Sequence, residues 1–376
     1  MDLPRADVDP GGLLEYSVVF TDRSLNHMSK RFVAVMQDIV EVLRTTYQAQ
    51  TLAVVPGGGT YAMEAVARQL ATGRRCLVVR NGFFSYRWSQ IFDAGSIPAE
   101  APVLFARPTS DERHAPWVPP PIGDVVETIE RTRPEVVFAA HVETAAGIVL
   151  PDDYLRAVAA ATHDVGGLFV LDCIASGALW VNMADLGIDV LLTAPQKGWS
   201  GSPCAGFVIL REAGRAAVES STSTSFAADL RQWLTITEAY SEGRTPYHAT
   251  MPTDALAHNA ALMRETHDAG LADLCRAQIV LGTRVRAALA KRGFPSVAAD
   301  GFAAPSVVVA FTDDPDIRSG AKLKDLGMQV AAGVPLKCGE GDDFSTFRIG
   351  LFGLDKLTDV DSTVERLEAR LDQLVR

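Results

Sequence analysis

Apolar residues in the first half of the chain follow two alternating patterns. Short continuous apolar runs, typical of strands buried on both faces of a sheet, occur as LAVVP (52–56), CLVV (76–79), VVFAA (136–140), LFVLD (168–172) and VLLT (190–193). Between the runs, apolar residues recur every three or four positions, as an amphipathic helix requires. Strands that alternate with helices predict an α/β fold, with a mostly parallel sheet covered by helices on both faces.

The pattern changes after residue 210, where small and polar residues replace the regular alternation. A long helical stretch from about Thr253 leads into a second group of elements, which includes the strands PSVVVAFT (305–312) and TFRIGLF (346–352) and a final helix from about Thr358. We therefore predict an N-terminal arm over residues 1–20, a large domain over 21–252 and a smaller α+β domain over 253–376.

Composition narrows the class of protein. The chain has 376 residues, 48% of them hydrophobic, and a net charge of −11, which disfavours a nucleic acid or an anionic membrane as partner. The N-terminus lacks the pattern of a signal peptide, and no apolar run reaches the roughly 20 residues of a membrane helix. The five cysteines have no CxxC spacing. We therefore expect no disulfide framework, no metal site and a reducing, cytoplasmic location.

The candidate chemistry lies where predicted strands end. Asp172 closes the run LFVLD, and Lys197 follows the next run in TAPQKGWSG. The carboxyl ends of neighbouring parallel strands share one edge of a sheet, so we expect the acid and the amine in one pocket. A buried amine can form a Schiff base, and a carboxylate can pair with a pyridinium nitrogen, so the two residues predict pyridoxal phosphate. Taken singly, Lys197 also fits an exposed loop lysine, and Asp172 a helix N-cap or a metal-binding acid.

Four further motifs each have two interpretations. PGGGTYAMEA (56–65) is a strand–helix turn that either binds a phosphate through backbone N–H groups or has no ligand, and it lacks the signatures of ATP and NAD loops. NGFF (81–84) offers an aromatic ring for stacking on a cofactor or for core packing. Arg348, inside an apolar strand, either binds a substrate carboxylate or forms an internal salt bridge. YHATMP (247–252) either donates hydroxyls to a phosphate or is an ordinary loop.

In the order in which they occur, these motifs resemble those of the class V aminotransferases of pyridoxal phosphate (PLP) fold type I, in particular the alanine–glyoxylate and serine–pyruvate aminotransferases. The resemblance covers roughly residues 25–372 and rests on GGGTYAMEA, VRNGFFSYR, HVETAAGIVLP, VLDCIAS, APQKGWSGSP, YHATMP and FRIGLFG. It implies a large domain with a mostly parallel seven-stranded sheet and a smaller α+β C-terminal domain. It also implies PLP-dependent transamination between a small amino acid (alanine or serine type) and a small 2-oxo acid (glyoxylate or pyruvate type).

The resemblance further implies a role for each motif residue. Lys197 resembles the catalytic Schiff-base lysine, and Arg348 resembles the arginine that binds the substrate carboxylate. The implied cofactor contacts are Gly58, Gly59, Thr60 and Gln196 at the phosphate, Phe84 and Ile174 on the two ring faces, Thr144 near the phenolic oxygen, Asp172 at the pyridinium nitrogen, and Tyr247 and Thr250 at the phosphate of the neighbouring subunit. The last two imply an obligate homodimer with its active site at the interface.

Two features keep other functions open. The Gly-Pro-rich segment that lines the substrate pocket of relatives is replaced here by EYSVVFTDRSLNHMS (15–29). The resemblance therefore does not define which substrate side chain the enzyme prefers. Cys338, in the glycine-rich stretch VPLKCGEGDDF (334–344), is either an ordinary surface-loop cysteine, which the other motifs favour, or the mobile-loop cysteine of a cysteine desulfurase or another PLP-dependent lyase. A non-catalytic binding or regulatory protein on the same fold is a third candidate, which the presence of both Lys197 and Asp172 disfavours.

Overall fold

A computed structural model describes residue 11 and residues 13–374 of the chain. In chain order, the strands are β1 (Thr51–Pro56), β2 (Cys76–Arg80), β3 (Val103–Phe105), β4 (Arg107–Pro108), β5 (Trp117–Val118), β6 (Val136–Ala140), β7 (Val142–Glu143), β8 (Ile148–Val149), β9 (Leu168–Asp172), β10 (Val190–Thr193), β11 (Ala205–Leu210), β12 (Val307–Phe311), β13 (Ala331–Ala332) and β14 (Thr346–Gly350). The helices are α1 (Lys30–Tyr47), α2 (Gly59–Leu70), α3 (Phe83–Gly95), α4 (Ile122–Thr132), α5 (Asp152–Asp164), α6 (Met183–Leu186), α7 (Glu212–Glu219), α8 (Leu230–Ser241), α9 (Thr253–Asp268), α10 (Leu271–Ala290), α11 (Pro315–Ser319), α12 (Ala321–Asp325), α13 (Leu354–Leu357) and α14 (Val360–Leu374).

The central feature is a seven-stranded sheet with the strand order β1-β11-β10-β9-β6-β2-β3. Strand β11 runs antiparallel to both of its neighbours, and the other neighbouring pairs are parallel. The mostly parallel seven-stranded sheet expected from the sequence is therefore confirmed. Strands such as β2 and β6 are buried along their whole length, because helices pack against the sheet.

The strand register brings several loops to one edge of the sheet. Ala140 of β6 and Leu192 of β10 both pair with Asp172 at the end of β9. Strand β2 pairs with β6 and ends at Arg80, so the NGFF turn leaves from the same edge. This edge is where ligands bind in open parallel sheets.

A large hydrophobic core holds the helices in place around this edge. Trp88 of α3 and Phe138 of β6 are fully buried, with their ring centroids 4.5 Å apart. Burying side chains of this size contributes about 1.5–3 kcal/mol each. Packing of this kind fixes α3 on the sheet and therefore fixes where its first turn begins.

One glycine lets the turn before α2 approach the sheet. A Cβ added to Gly206 of β11 would lie 2.4 Å from the Cβ of Ala62 and 2.7 Å from the carbonyl oxygen of Gly58. Both distances are too short for any side chain, so the close approach requires glycine at this position.

The C-terminal part of the chain has its own three-stranded sheet, with the order β12-β14-β13. Buried side chains from this sheet and from α10 and α14 form a second hydrophobic core. Helix α9, where the predicted small domain begins, packs against α1 and buries Leu256 and Met263 in the large core. The division of the chain at residue 252 stays a prediction.

Three stretches of the sequence behave differently from their patterns. Residues 13–20, the partly apolar end of the predicted N-terminal arm, form no strand, and Tyr16 and Val18 are 88% and 101% exposed. Their hydrogen bonds are local, so no neighbouring strand stabilises an extended ladder. The rest of the predicted arm, residues 1–10 and 12, lies outside the described residues. Residues 94–122, where the sequence has little periodicity, contain β3, β4 and β5, and the apolar run MQVAAG (328–333) contains only the two-residue strand β13.

Within the described part of the chain, no helix has the length and apolar character needed to cross a membrane.

Candidate active site

Asp172 ends strand β9, and its side chain is buried. Its Oδ1 accepts a hydrogen bond from the N–H of Ile174 at 2.9 Å, and no lysine or arginine of the described residues forms an ion pair with it. Burial raises the pKa of Asp172 to about 6 from the ordinary 3.8, because the carboxylate has lost its water. The side chain is therefore a buried acid without a cation in direct contact, although the more distant charges of Arg87 and Lys197 lower its pKa.

Lys197 lies in the loop between β10 and β11, with its Nζ 4.8 Å from the centre of the Phe352 ring. Burial lowers the pKa of Lys197, the positive charge of Arg348 lowers it further, and Asp172 raises it. The net lowering of the pKa increases the fraction of the neutral amine, which is the nucleophilic form. Asp172 and Lys197 act on each other's pKa, so the acid and the amine lie near each other, and their shared pocket stays a prediction.

The lysine loop is held by close contacts on both sides. A Cβ at Gly198 would lie 2.2 Å from the carbonyl oxygen of Gly177, so the loop is pressed against the segment that follows β9. Ser200, in a left-handed conformation with φ 59°, accepts through Oγ a hydrogen bond from the N–H of Leu354 at 2.7 Å. These contacts limit where the Lys197 side chain can point.

The glycine turn joins β1 to α2. A Cβ at Gly58 would meet open space, whereas a Cβ at Gly59 would lie 2.5 Å from Cδ1 of Ile174. Gly59 therefore lets Ile174 pack directly against the start of α2. Thr60 is the second residue of this helix, where the first N–H groups have no acceptor within the helix.

Phe84 lies in the first turn of α3 and is held there by a buried glutamate. The carboxylate of Glu143 accepts hydrogen bonds from the N–H of Phe84 at 3.2 Å, from the N–H and Oγ of Ser85 at 2.9 and 2.7 Å, and from the N–H of Ala145 at 2.9 Å. A carboxylate at a helix N-terminus is favourable for both charge and hydrogen bonding. Glu143 was not predicted from the sequence. Its signal was an acid three residues after the end of the apolar run VVFAA, in HVET.

Two arginines flank the Phe84 ring. The guanidinium carbons of Arg87 and Arg348 each lie 5.3 Å from the ring centre. Arg348 donates through Nε to the carbonyl oxygen of Ala332 at 2.8 Å, and burial lowers its pKa. It forms no salt bridge with any described residue, which removes the internal ion pair considered from the sequence. Arg87 was not predicted, although it lies three residues after Phe84, a spacing that puts both on one helix face.

Thr144 and Gln196 lie next to residues already placed in the pocket. Thr144 is buried in the turn between β7 and β8, directly after Glu143. Gln196 precedes Lys197, and its Oε1 is buried without a hydrogen-bond partner among the described residues. A flip of the amide would put its NH₂ group at the same place. Gln196 therefore has an unused polar atom beside the lysine.

Tyr247 and Thr250 lie apart from this group. The Tyr247 hydroxyl is 3.0 Å from Oγ1 of Thr250, and the Tyr247 ring centroid is 5.6 Å from that of His27. Tyr247 is 54% exposed. Within the described chain, neither side chain has a hydrogen bond or ring contact to the residues around Lys197. The structure thus places this pair on the surface, without a contact to the other predicted site residues of the described chain.

The surroundings of Cys338 do not suit a nucleophile. Its Sγ lies 3.6 Å from the carbonyl oxygen of Arg80 and 3.7 Å from that of Leu336. Burial raises the pKa of the Cys338 thiol to about 12, so the thiol stays protonated near neutral pH. Because the thiolate is the reactive form, the geometry argues against the cysteine desulfurase alternative.

Comparison with known proteins agrees with this geometry. A family model described as Aminotransferase class-V matches residues 14–263. The 2-aminoethylphosphonate–pyruvate transaminase of Syntrophobacter fumaroxidans is 27% identical over 336 residues, which cover 85% of this chain and 83% of that protein. A protein of Synechococcus sp. named soluble hydrogenase, small subunit, is 26% identical over 361 residues, which cover 93% of this chain and 88% of that protein.

A solved structure shares the fold. The alanine–glyoxylate aminotransferase of Nostoc sp. superposes with a TM-score of 0.78 at 21% identity, over 93% of this chain and 89% of that one. The family match also bears out the enzyme class and the cofactor expected from the sequence, and it leaves the non-catalytic alternative without support. The chain belongs to the class-V aminotransferase family and is a pyridoxal-phosphate-dependent aminotransferase.

Proposed function

We propose that this enzyme transfers an amino group between a small amino acid of the alanine or serine type and a small 2-oxo acid of the glyoxylate or pyruvate type. The observation that carries the proposal is the placement of partly buried Lys197 close enough to buried Asp172 for each charge to act on the other's pKa. Relatives named for reactions with pyruvate or glyoxylate support the choice of oxo acid.

The described residues fit pyridoxal phosphate. Asp172 is a buried carboxylate without a cation, which a protonated ring nitrogen would supply. The open space beside Gly58, at the start of α2, suits a phosphate. The buried Gln196 amide, which has no partner, adds a polar group near this place. Phe84 and Ile174 offer apolar surfaces for the two faces of the ring.

The chain's own groups divide the work of catalysis. When bound, the cofactor supplies an electron sink for the negative charge that forms at the α-carbon of the amino acid. Asp172 would hold the proton on the ring nitrogen through its negative charge. Lys197 would hold the cofactor through Nζ, and its amine would take the proton from the α-carbon of the amino acid as a general base. The lowered pKa of Lys197 keeps a larger fraction of the amine in the neutral form that this step needs.

Arg348 is proposed to bind the α-carboxylate of the substrate. Its Nε is engaged by Ala332, and its two Nη groups have no carboxylate partner among the described residues. A half-buried guanidinium that lacks an anion is suited to bidentate binding of one. Thr144 is proposed to lie near the phenolic oxygen of the cofactor.

We further propose a homodimer in which Tyr247 and Thr250 reach the cofactor phosphate of the partner. The pair is exposed and lies away from Lys197 of its own chain, as a contribution to a second subunit requires. Apolar side chains of the nearby N-terminal segment are also exposed, namely Leu13, Leu14, Tyr16 and Val18, and a subunit interface would cover them. The cytoplasmic location and the domain division at residue 252 stay predictions.

Asp172→Asn should stabilise the cofactor-free protein at pH 8. The folded-state pKa of about 6 exceeds the ordinary 3.8, so the favourable contribution of protonated Asp172 is fully present below 3.8 and is lost as the pH rises through 6. The difference corresponds to about 3 kcal/mol. Urea unfolding of the wild type and the variant at pH 5 and pH 8 measures this difference in the free energy of unfolding. The gain in stability of the variant should be clearly smaller at pH 5. Equal stability of the two proteins at pH 8 would contradict a buried carboxylate without a cation. With cofactor present, the same variant should bind it more weakly.

Lys197→Ala should abolish the visible absorbance band that the wild type shows with added pyridoxal phosphate. Lys324→Ala, which changes an exposed lysine of α12, is the matched control and should keep the band. In the wild type, L-alanine, L-serine or 2-aminoethylphosphonate should shift the band, and mass spectrometry of the product identifies the oxo acid. A band that persists in Lys197→Ala would remove the lysine from its role. A wild-type band that no amino donor shifts would contradict the proposed transamination.

Hybrid dimers should test the shared active site. Lys197→Ala and the double variant Tyr247→Phe/Thr250→Ala are each expected to be weakly active alone. Co-expressed with different affinity tags, they form a hybrid in which one site has both Lys197 and the partner's hydroxyl groups. Transamination by the purified hybrid should therefore exceed that of either parent dimer. A hybrid no better than its parents would show that Tyr247 and Thr250 do not act across the interface.

A further inference from the structure

Arg87 connects two parts of the pocket. It lies in α3, three residues after Phe84, and its guanidinium carbon is 5.3 Å from the Phe84 ring centre. Its Nη1 donates a hydrogen bond to Oγ1 of Thr60 at 3.0 Å. Thr60 is the second residue of α2, directly after the glycine turn. One guanidinium therefore touches both the aromatic ring and the start of the helix.

Among the described residues, no acid neutralises Arg87. Within the part of the chain that the structure describes, no carboxylate lies within ion-pair distance of Arg87. Its charge nevertheless acts on the pocket, because it lowers the pKa of both Asp172 and Lys197. A partly buried arginine is generally paired with an acid or with an anionic ligand.

Charge balance in the pocket favours a cation at the start of α2. Arg348 is matched by a substrate carboxylate in the proposed function, and Asp172 by a ring nitrogen. The phosphate of the cofactor is left with the N-terminus of α2, which supplies only about half an elementary charge, and with uncharged side chains such as Thr60 and Gln196. A phosphate near neutral pH has a charge close to −2. Arg87 is the cation placed beside the turn that would receive it.

We propose that Arg87 binds the phosphate group of the cofactor and supplies its main positive counter-charge, an inference that rests on the proposed function. The guanidinium rotates away from Thr60, or donates alongside it, so that its remaining N–H groups reach the phosphate oxygens. The same guanidinium stays against Phe84 and so links the phosphate end of the cofactor to the residue proposed to stack on its ring. Anion binding at this turn therefore depends on α3 as well as on α2.

The test compares two ligands that differ only in the phosphate. Cofactor-free wild type, Arg87→Met, Arg87→Lys and Arg348→Met are titrated with pyridoxal phosphate and with pyridoxal, and each Kd is read from absorbance and tryptophan fluorescence. Arg348→Met is the matched control, because its guanidinium carbon lies at the same 5.3 Å from the Phe84 ring. The ratio of the two Kd values for one protein cancels any general loss of folded structure, which circular dichroism monitors separately.

Arg87→Met should weaken the binding of pyridoxal phosphate about 10- to 100-fold, as expected for the loss of charge-assisted hydrogen bonds. The affinity for pyridoxal should stay nearly unchanged. Arg87→Lys should retain part of the preference, since it keeps the charge without the planar fork. Arg348→Met should keep the full preference for the phosphate form.

Two results would overturn the inference. An unchanged preference for pyridoxal phosphate in Arg87→Met would show that the arginine does not bind the phosphate. Weaker binding of 2-aminoethylphosphonate or of a dicarboxylic amino acid, with cofactor affinity unchanged, would instead assign Arg87 to an acidic group of the substrate. Failure of the wild type to bind pyridoxal phosphate at all is a separate outcome, which would overturn the proposed function together with this inference.

Discussion

The carboxylate of Glu143 holds the active-site edge of the sheet to helix α3. It is fully buried and accepts hydrogen bonds from Phe84, from both the N–H and Oγ of Ser85, and from Ala145. Hydrogen bonds to a charged group contribute about 1.5–3 kcal/mol each. Here the donors include N–H groups at a helix N-terminus, which have no acceptor within the helix. The interaction fixes the first turn of α3 and so sets the position of Phe84 and, one turn later, of Arg87.

The rest of the site includes three charged side chains without an ion-pair partner among the described residues, of which Asp172 is buried and the two arginines are partly buried. Asp172 has no cation, and Arg87 and Arg348 have no carboxylate partner among the described residues, although all three influence the pKa of Lys197. Leaving charges unpaired away from water is unfavourable for the folded protein alone. A ligand with a cationic ring nitrogen and anionic groups at both ends would relieve each of these charges, so cofactor binding and folding stability are coupled in this pocket.

The sequence alone allows prediction of the site residues whose position depends on where strands end. Asp172 and Lys197 follow apolar runs, and parallel strand ends meet at one edge whatever the details of packing. Glu143 and Arg87 depend on contacts between segments far apart in the chain, such as Arg87 with Thr60, which local patterns do not contain. Residues 13–20 show that a local pattern can also predict an element that does not form. Their apolar pattern resembles a strand, but without a neighbouring strand in the described chain none forms.

The central claim is that Lys197 attaches the cofactor in the pocket at the carboxyl ends of β9 and β10. Reduction of the cofactor-loaded wild-type enzyme with borohydride, followed by peptide mass spectrometry, tests this most directly, because reduction makes the lysine–cofactor bond permanent. The account predicts a single pyridoxyl modification, on the peptide that contains Lys197. A modification on a different lysine, or an enzyme that carries none after loading, would contradict it.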